Sequence, residues 1–237
     1  MFPRRLGFAV LAICAAFAGR PALAQSRTPT AKPANSPVSA ILDLVPAAHR
    51  DAVAKVMTKP TLSAKYTEEP FLTQEGVYPF LLEHPDRVSL AWGRMNVPCV
   101  EIADAGNGSF AWTDENGSQL TWQAVAKLTD GVVWYASGKV KAATLLPMVP
   151  VKAVAVVKYP SKPTDTKGIV TLTPEASVYL LSESRAANVV LRMVGPAAPK
   201  LAEDGAEQLL FFFSGVAVHL KDNPDKVLTL LAAKKKK

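Results

Sequence analysis

The stretch 199–221, PKLAEDGAEQLLFFFSGVAVHLK, decides the fold. Ala206, Leu209, Leu210, Phe213, Val216, Ala217 and Leu220 recur every three or four residues and form one apolar stripe of a long helix. Gly195-Pro196 stops the helical pattern that precedes it, Arg185 to Val194, and Asn223-Pro224 ends the long helix itself. Leu209, Leu210 and Phe213 on that stripe call for an apolar surface to lie against.

The surface is supplied upstream, where the period changes from helical to two at Val100. Asn107-Gly108 and Asn116-Gly117 mark tight hairpin turns, because both central positions tolerate positive φ, and Asp130-Gly131 marks a third. Both Asn-Gly pairs are also formal glycosylation sequons, but the turns account for them. The segments between are expected to be strands: Val100–Asp104, Ser109–Asp114, Ser118–Lys127, Val132–Val140, Val149–Tyr159 and Ile169–Ser182. Together they make a six-stranded antiparallel meander, the last two strands joined by a loop from Ser161 to Gly168. Leu120, Trp122, Ala124, Ala126 and Leu128 alternate with Gln119, Thr121, Gln123 and Lys127, which predicts one buried sheet face and one largely wet. Trp122 and Trp134 fall on neighbouring strands at alternate-residue spacing.

The first third reads as helical. Ser36-Pro37 opens a helix with Val38, Ile41, Leu42 and Val45 on one face, and after Pro46 a second helix runs from Ala47 to Met57 with Val53 and Val56 inward. Lys59 to Pro70 reads as loop and Thr73 to Glu83 as a short helical stretch. Pro85-Asp86 begins another helix, with Asp86 placed to cap the amides of Val88 and Ser89 and with Val88, Ala91, Trp92 and Met95 at helical spacing. The fold class is therefore α+β: N-terminal helices, an antiparallel meander, and a long C-terminal helix packed on the sheet.

The two ends of the chain account for its charge. Arg4 and Arg5, the apolar run Leu6 to Ala18 and the small residues of Ala22-Leu23-Ala24 give residues 1–24 the form of a secretory signal peptide. Cys14 sits inside the apolar run after Ile13, where a lipoprotein signal does not place it. Residues 25–35 read as a flexible lead, 36–222 as one α+β domain, and 223–237 as a further turn and a lysine tail. The formal net charge of +7 is carried by Arg4, Arg5, Arg20 and Lys234, Lys235, Lys236 and Lys237, so the body is neutral and has no general attraction to a polyphosphate backbone. The four lysines behind Val227 to Ala233 suit a weak, salt-sensitive contact with an anionic membrane surface. Of 237 residues 49% are apolar and 20% charged, which excludes a wholly disordered, collagen-like or disulfide-rich chain. Beyond the first two dozen residues no apolar run reaches the roughly 18 needed to cross a bilayer as a helix.

Catalytic patterns are missing. After export only Cys99 would remain, which allows no intrachain disulfide and suits a small buried hydrophobe at the start of a strand. His49, His84 and His219 lack metal-ligand spacing, so no metal is expected. No nucleophile elbow surrounds Ser109, Ser137 or Ser214, and no phosphate-binding or dinucleotide glycine pattern is present, so no cofactor is expected. His84-Pro85-Asp86 matches the tripeptide of J-domain co-chaperones, yet Thr73 to Glu83 carries two acids and a proline where those domains have a basic helix. A non-catalytic protein is the favoured reading.

The order of helices, meander and long terminal helix, with the Gly-Pro break inside Leu191 to Leu220, resembles the helix-grip fold of START-like and polyketide-cyclase-like proteins over residues 86–222. The strand that normally precedes the first helices is not evident, and the helices from Val38 to Met57 are additional. The resemblance implies a lipid or other apolar small molecule held between sheet and helix, and the residues expected to line that space are Trp122, Trp134, Leu209, Leu210 and Phe213. The alternative is a structural or interaction module in which the same residues fill the core.

Overall fold

The computed structural model of the chain describes residues 37–114, 117–141, 148–184, 187 and 195–233. The segments expected to be signal peptide and lead, Asn116 of the expected Asn116-Gly117 turn, most of the expected Arg185 to Val194 helix and the four terminal lysines lie outside the described residues.

Two short helices come first, α1 (Pro37–Leu44) and α2 (Ala47–Thr58), followed by strands β1 (Leu62–Thr67) and β2 (Phe71–Gln74) and helices α3 (Val77–Glu83) and α4 (Pro85–Arg94). The sheet region contains β3 (Ile102–Gly106), β4 (Ser109–Thr113), β5 (Gln119–Leu128), β6 (Gly131–Lys141), β7 (Met148–Lys158), β8 (Ser161–Pro163), β9 (Ile169–Leu172) and β10 (Glu175–Leu181). The chain closes with α5 (Ala198–Asp222) and α6 (Val227–Leu231). The large antiparallel sheet has the order β1-β10-β7-β6-β5-β4-β3, and β2-β9-β8 form a small second sheet. The long helix α5 lies across one face of the large sheet, which is the helix-grip arrangement.

The sheet thus has seven strands where six were expected. The additional one is β1, inside the Lys59 to Pro70 segment read as loop, and it pairs with β10 from Leu62↔Leu180 to Thr67↔Glu175. Its alternation is carried by Leu62, Ala64 and Tyr66, two of them small or half-polar, so it gave little apolar signal. This strand precedes α3 and α4 and occupies the position that appeared empty in the sequence. The first third is accordingly mixed rather than helical: Phe71–Gln74 pairs with β9, and Gly76, at φ +81°, turns the chain into α3.

Three further expectations change in detail. The segment Ile169–Ser182 is two strands in two sheets, divided at Thr173-Pro174, because proline cannot donate to a ladder. Within the expected Ser161 to Gly168 loop, Ser161–Pro163 pairs with β9 as β8. A bulge between Ala124 and Ala126 shifts the register of β5, so that Val125 and Ala126 both turn into the outer core and the inward alternation stops at Ala124.

Of the expected turns, one forms where it was read and one is displaced. Asn107 and Gly108 have φ of 54° and 70°, so both central residues of the β3–β4 hairpin are left-handed. The β5–β6 hairpin instead closes through Thr129 and Asp130, since Leu128 already pairs with Gly131. Asp86 does not cap α4: the N-cap position is His84, no side chain caps it, and Asp86 pairs with Arg87 at 3.1 Å. Cys99 is half-buried and lies three residues before β3, which starts at Ile102 rather than Val100.

Both faces of the sheet are covered at its centre. Val45, Val53, Val56 and Met57 of the α1–α2 region pack on Val133, Val154 and Val156, so the outer face expected to be wet is buried at β6 and β7. This explains the nearly continuous apolar run of β7, which a sheet wet on one side would not need. On the inner face Leu210, Phe212, Phe213, Val216 and Leu220 pack with Val132, Trp134, Val157, Leu172 and Ala176.

Helix α4 fixes the position of α5. The Trp92 indole Nε1–H donates to the Phe212 carbonyl at 2.9 Å, and the ring stacks on Phe211 with centroids 5.8 Å apart. Gly215 makes room for this contact, since a Cβ there would stand 2.7 Å from Trp92 Cη2. Helix α6 then packs on α4, where Arg94 Nη1 donates to the carbonyls of Leu230 at 2.6 Å and Ala232 at 2.8 Å. Of the three leucines there, Leu230 is buried, Leu231 is partly buried and Leu228 is exposed. In an ordinary helix Gly→Ala stabilises by about 1 kcal/mol. Gly215→Ala should instead destabilise by about 1–3 kcal/mol, because the new methyl drives Trp92 off α5; urea unfolding reads the sign.

Candidate functional site

Between the inner face of the sheet and the N-terminal half of α5 the side chains leave a cavity of about 120 Å³. Its origin is legible in residue sizes. Ala136 of β6 faces Ala153 of β7, and Ala155 of β7 faces Trp134, so the centre of the inner face is lined by methyl groups. Above it α5 presents Ala202 and Gly205, again the smallest side chains available. Small residues on both sides leave space, and a rim of larger ones surrounds it: Leu62, Trp112, Leu120, Trp122, Trp134, Val178 and Leu180 from the sheet, Leu201, Leu209, Phe212 and Phe213 from α5.

Three aromatic rings in contact form one part of the wall. Phe213 lies 5.5 Å from Trp134, ring centroid to ring centroid, and Phe212 lies 4.9 Å from Phe213. Val100 and Ile102 supply the wall where β3 begins, and Pro85 that at the start of α4. Among the described residues, none that lines the space carries a formal charge. Among the described residues, Ser63 and the tryptophan indoles are the lining side chains with a hydrogen-bonding group.

Of the five residues expected to line this space, Trp122, Trp134, Leu209 and Phe213 are brought together around it. Leu210 is not among them: one step further round α5, it is fully buried in the main core. The sequence reading missed Trp112, Leu180 and the alanines. The signal for the alanines was present in β7, where Ala153 and Ala155 alternate with Lys152, Val154 and Val156. Alanine, however, is equally at home in a packed core.

A polar corner lies further along α5, away from the cavity. The Ser214 hydroxyl donates to Glu68 Oε1 at 2.5 Å, while Glu68 Oε2, Tyr78 OH, Thr73 Oγ1 and Gln208 Oε1 are buried without a hydrogen-bond partner. Burial raises the Glu68 pKa above the usual carboxylate value despite the Ser214 bond, and burial followed by the Glu68 charge pushes the Tyr78 phenol well above its own. Burial also pushes the Cys99 thiol up to about 11, so it is held protonated at neutral pH, a poor state for a nucleophile. The three histidines are dispersed: His49 Nε2 is 3.0 Å from the Gln123 amide nitrogen, His84 rests on Phe80 at 4.5 Å, and His219 is in the last turn of α5. Among the described residues no cluster of three or more His, Cys, Asp or Glu side chains could hold a metal.

No family model matches the chain, and no curated protein does. Solved structures do. Ara h 8.0201 aligns over 68% of this chain and 99% of its own, at 12% identity and a TM-score of 0.41. A conserved protein from Geobacillus kaustophilus aligns over 65% of this chain and 96% of its own, at 12% identity and a TM-score of 0.37. The di-domain ARO/CYC StfQ from the steffimycin biosynthetic pathway aligns over 68% of this chain and 56% of its own, at 17% identity and a TM-score of 0.28. The class defined by this chain's own topology and cavity is a helix-grip α+β protein with an apolar space under its long helix.

A raised carboxylate pKa means that the folded state binds the Glu68 proton more tightly than the unfolded chain. Its contribution to stability is complete below the ordinary glutamate value and is lost as pH rises through the raised one. Glu68→Gln keeps the acceptor for Ser214 and removes the charge. The variant should melt with the wild type near about pH 4 and above it near about pH 7; paired thermal melts at the two pH values check this, and a variant less stable at neutral pH contradicts it.

Proposed function

We propose that the protein is an exported, non-catalytic binder of an apolar small molecule or lipid, held between the inner face of the sheet and α5. The observation that carries this reading is the space left by Ala136, Ala153 and Ala155 opposite Ala202 and Gly205. A fold selected only for stability gains by filling such a space, since each missing contact costs dispersion energy and buried area. The described lining residues are apolar and uncharged, which suits transfer of an apolar molecule out of water. Export rests on the basic, apolar and small-residue order of residues 1–24, and N-terminal sequencing of the secreted product should read Gln25 first.

Ala153→Phe separates a binder from a module with a filled core. The new ring enters the cavity from the sheet, beside Ala136 and Leu180. In a binder the variant keeps or gains thermal stability and no longer takes up a neutral apolar dye such as N-phenylnaphthylamine, which the wild type binds. In a filled core the same substitution overpacks and costs about 1–3 kcal/mol. Loss of stability together with no dye uptake by the wild type would reject the binding reading.

A further inference from the structure

The charges of the neutral body are unevenly placed. On the outer face of the sheet α1 and α2 cover Val133 and Tyr135 of β6 and Val154 and Val156 of β7. Further along the same strands that face continues with Ser137, Lys139 and Lys141 on β6 and with Lys152, Pro150 and Met148 on β7, which alternate with Val140, Val149 and Val151 of the inner core. Ser137, Lys139, Met148, Pro150 and Lys152 are exposed there. Ser137 is paired with Lys152, Lys139 with Pro150 and Lys141 with Met148. Lys139 is therefore a diagonal neighbour of Lys152 and stands two residues from Lys141, so each lysine is rooted about 7 Å from the next. Among the described residues none of the three forms an ion pair. At the end of α2, Lys55 and Lys59 extend the cluster. Lys55 Nζ is 2.9 Å from Glu183 Oε2, and its hydrogen bond and charge, joined by the charges of Lys152 and Lys59, hold the Glu183 carboxyl below the usual carboxylate range. Two further acids, Asp114 and Glu101, lie across β5 at the ends of β4 and β3, and Asp114 Oδ1 is taken by the Ser118 amide at 2.7 Å.

We propose that this part of the outer face docks on an anionic lipid surface, with Lys139, Lys141 and Lys152 at the headgroup phosphates and Met148 in the layer beneath them. Like charges this close repel one another in the free protein, and a surface of opposite sign relieves the repulsion. The apolar neighbours decide which anionic surface fits. Met148 is 39% exposed and Pro150 is exposed beside it, so the strand that carries Lys152 presents apolar side chains in the same row. A soluble polyanion would engage the lysines and leave Met148 in water. A lipid interface takes both, since lysine stems lie along apolar surface with their ammonium groups in the headgroup layer, and an apolar side chain enters the acyl boundary. The cavity is on the opposite face of the sheet, so the inference does not depend on what that space holds.

Sedimentation of the full chain with vesicles tests this. The wild type should bind vesicles of equal phosphatidylglycerol and phosphatidylcholine at low salt, leave them at high salt, and ignore vesicles of phosphatidylcholine alone. Lys139→Gln, Lys141→Gln and Lys152→Gln together should weaken binding about a hundredfold, at about fivefold for each lysine, with an unchanged thermal midpoint. Removing the same number of charges outside this face, by Lys162→Gln, Lys167→Gln and Lys226→Gln, should leave binding within about threefold. In the wild type, lipid carrying a spin label on its acyl chain should broaden the methyl resonance of Met148 and spare that of the buried Met57, which decides the matter without any variant. No sedimentation at low salt, equal losses from the two triple variants, or an unbroadened Met148 methyl would overturn the proposal. So would binding that is lost on deleting Lys234 to Lys237 and untouched by the triple variant of the face. Retention on heparin without vesicle binding would assign the face to a soluble polyanion instead.

Discussion

The position of α5 over the sheet controls everything else in this molecule. It is set at two points: by Phe212 and Phe213 against Trp134 on the sheet side, and by the Trp92 indole on the Phe212 carbonyl from α4. Bulky side chains at the middle of the helix hold it off the strands. Towards its N-terminus the helix carries Ala202 and Gly205, which cannot reach down to the alanines of β6 and β7. The cavity is thus a consequence of a helix held up by bulky side chains at its centre and of small residues on both sides of the gap toward its N-terminus. Interiors are otherwise packed as densely as crystals, so a space of this kind is not the default outcome of burying a helix.

The sheet can support that rod because it is buried from behind. α1 and α2 lay Val45, Val53, Val56 and Met57 on the outer face of β6, β7 and β10, which makes the centre of the sheet a middle layer. Strands β6 and β7 therefore carry apolar side chains in both directions, and the inner row is free to be small without leaving the sheet unstable. The β1–β10 pairing contributes from the other edge, tying the segment before α3 and α4 to the strand whose Val178 and Leu180 line the cavity.

What could be read from the sequence follows the strength of local periodicity. The apolar stripe of α5 spans several turns, and the meander strands are long, with β3 and β4 joined by an Asn107-Gly108 turn whose geometry is dictated by positive φ. These were legible. β1 was not, because Leu62, Ala64 and Tyr66 present a weak apolar face and long-range pairing with β10 is what orders them. Nor was the bulge at Val125, which reverses which residues of β5 face outward without any glycine or proline to announce it. At the site, Trp122, Trp134, Leu209 and Phe213 could be named from the faces they share, but Leu210 could not be separated from Leu209 without the helix rotation. The cavity was beyond reach for a further reason: alanine in a strand fits a tight core as readily as the floor of a pocket, and only the height of the facing helix distinguishes them.

The central claim is that the space under α5 is occupied by a molecule other than the protein. The polar corner around Glu68 and Ser214, the thiol of Cys99 and the dispersed histidines are not among the described residues that line the cavity, and the claim concerns affinity. Mass spectrometry of the purified full chain under native conditions, followed by organic extraction, tests it most directly. A discrete adduct that the extraction recovers as an apolar compound is the result expected; a single species at the mass of the polypeptide, with an empty extract and no uptake when apolar compounds are added back, would contradict it.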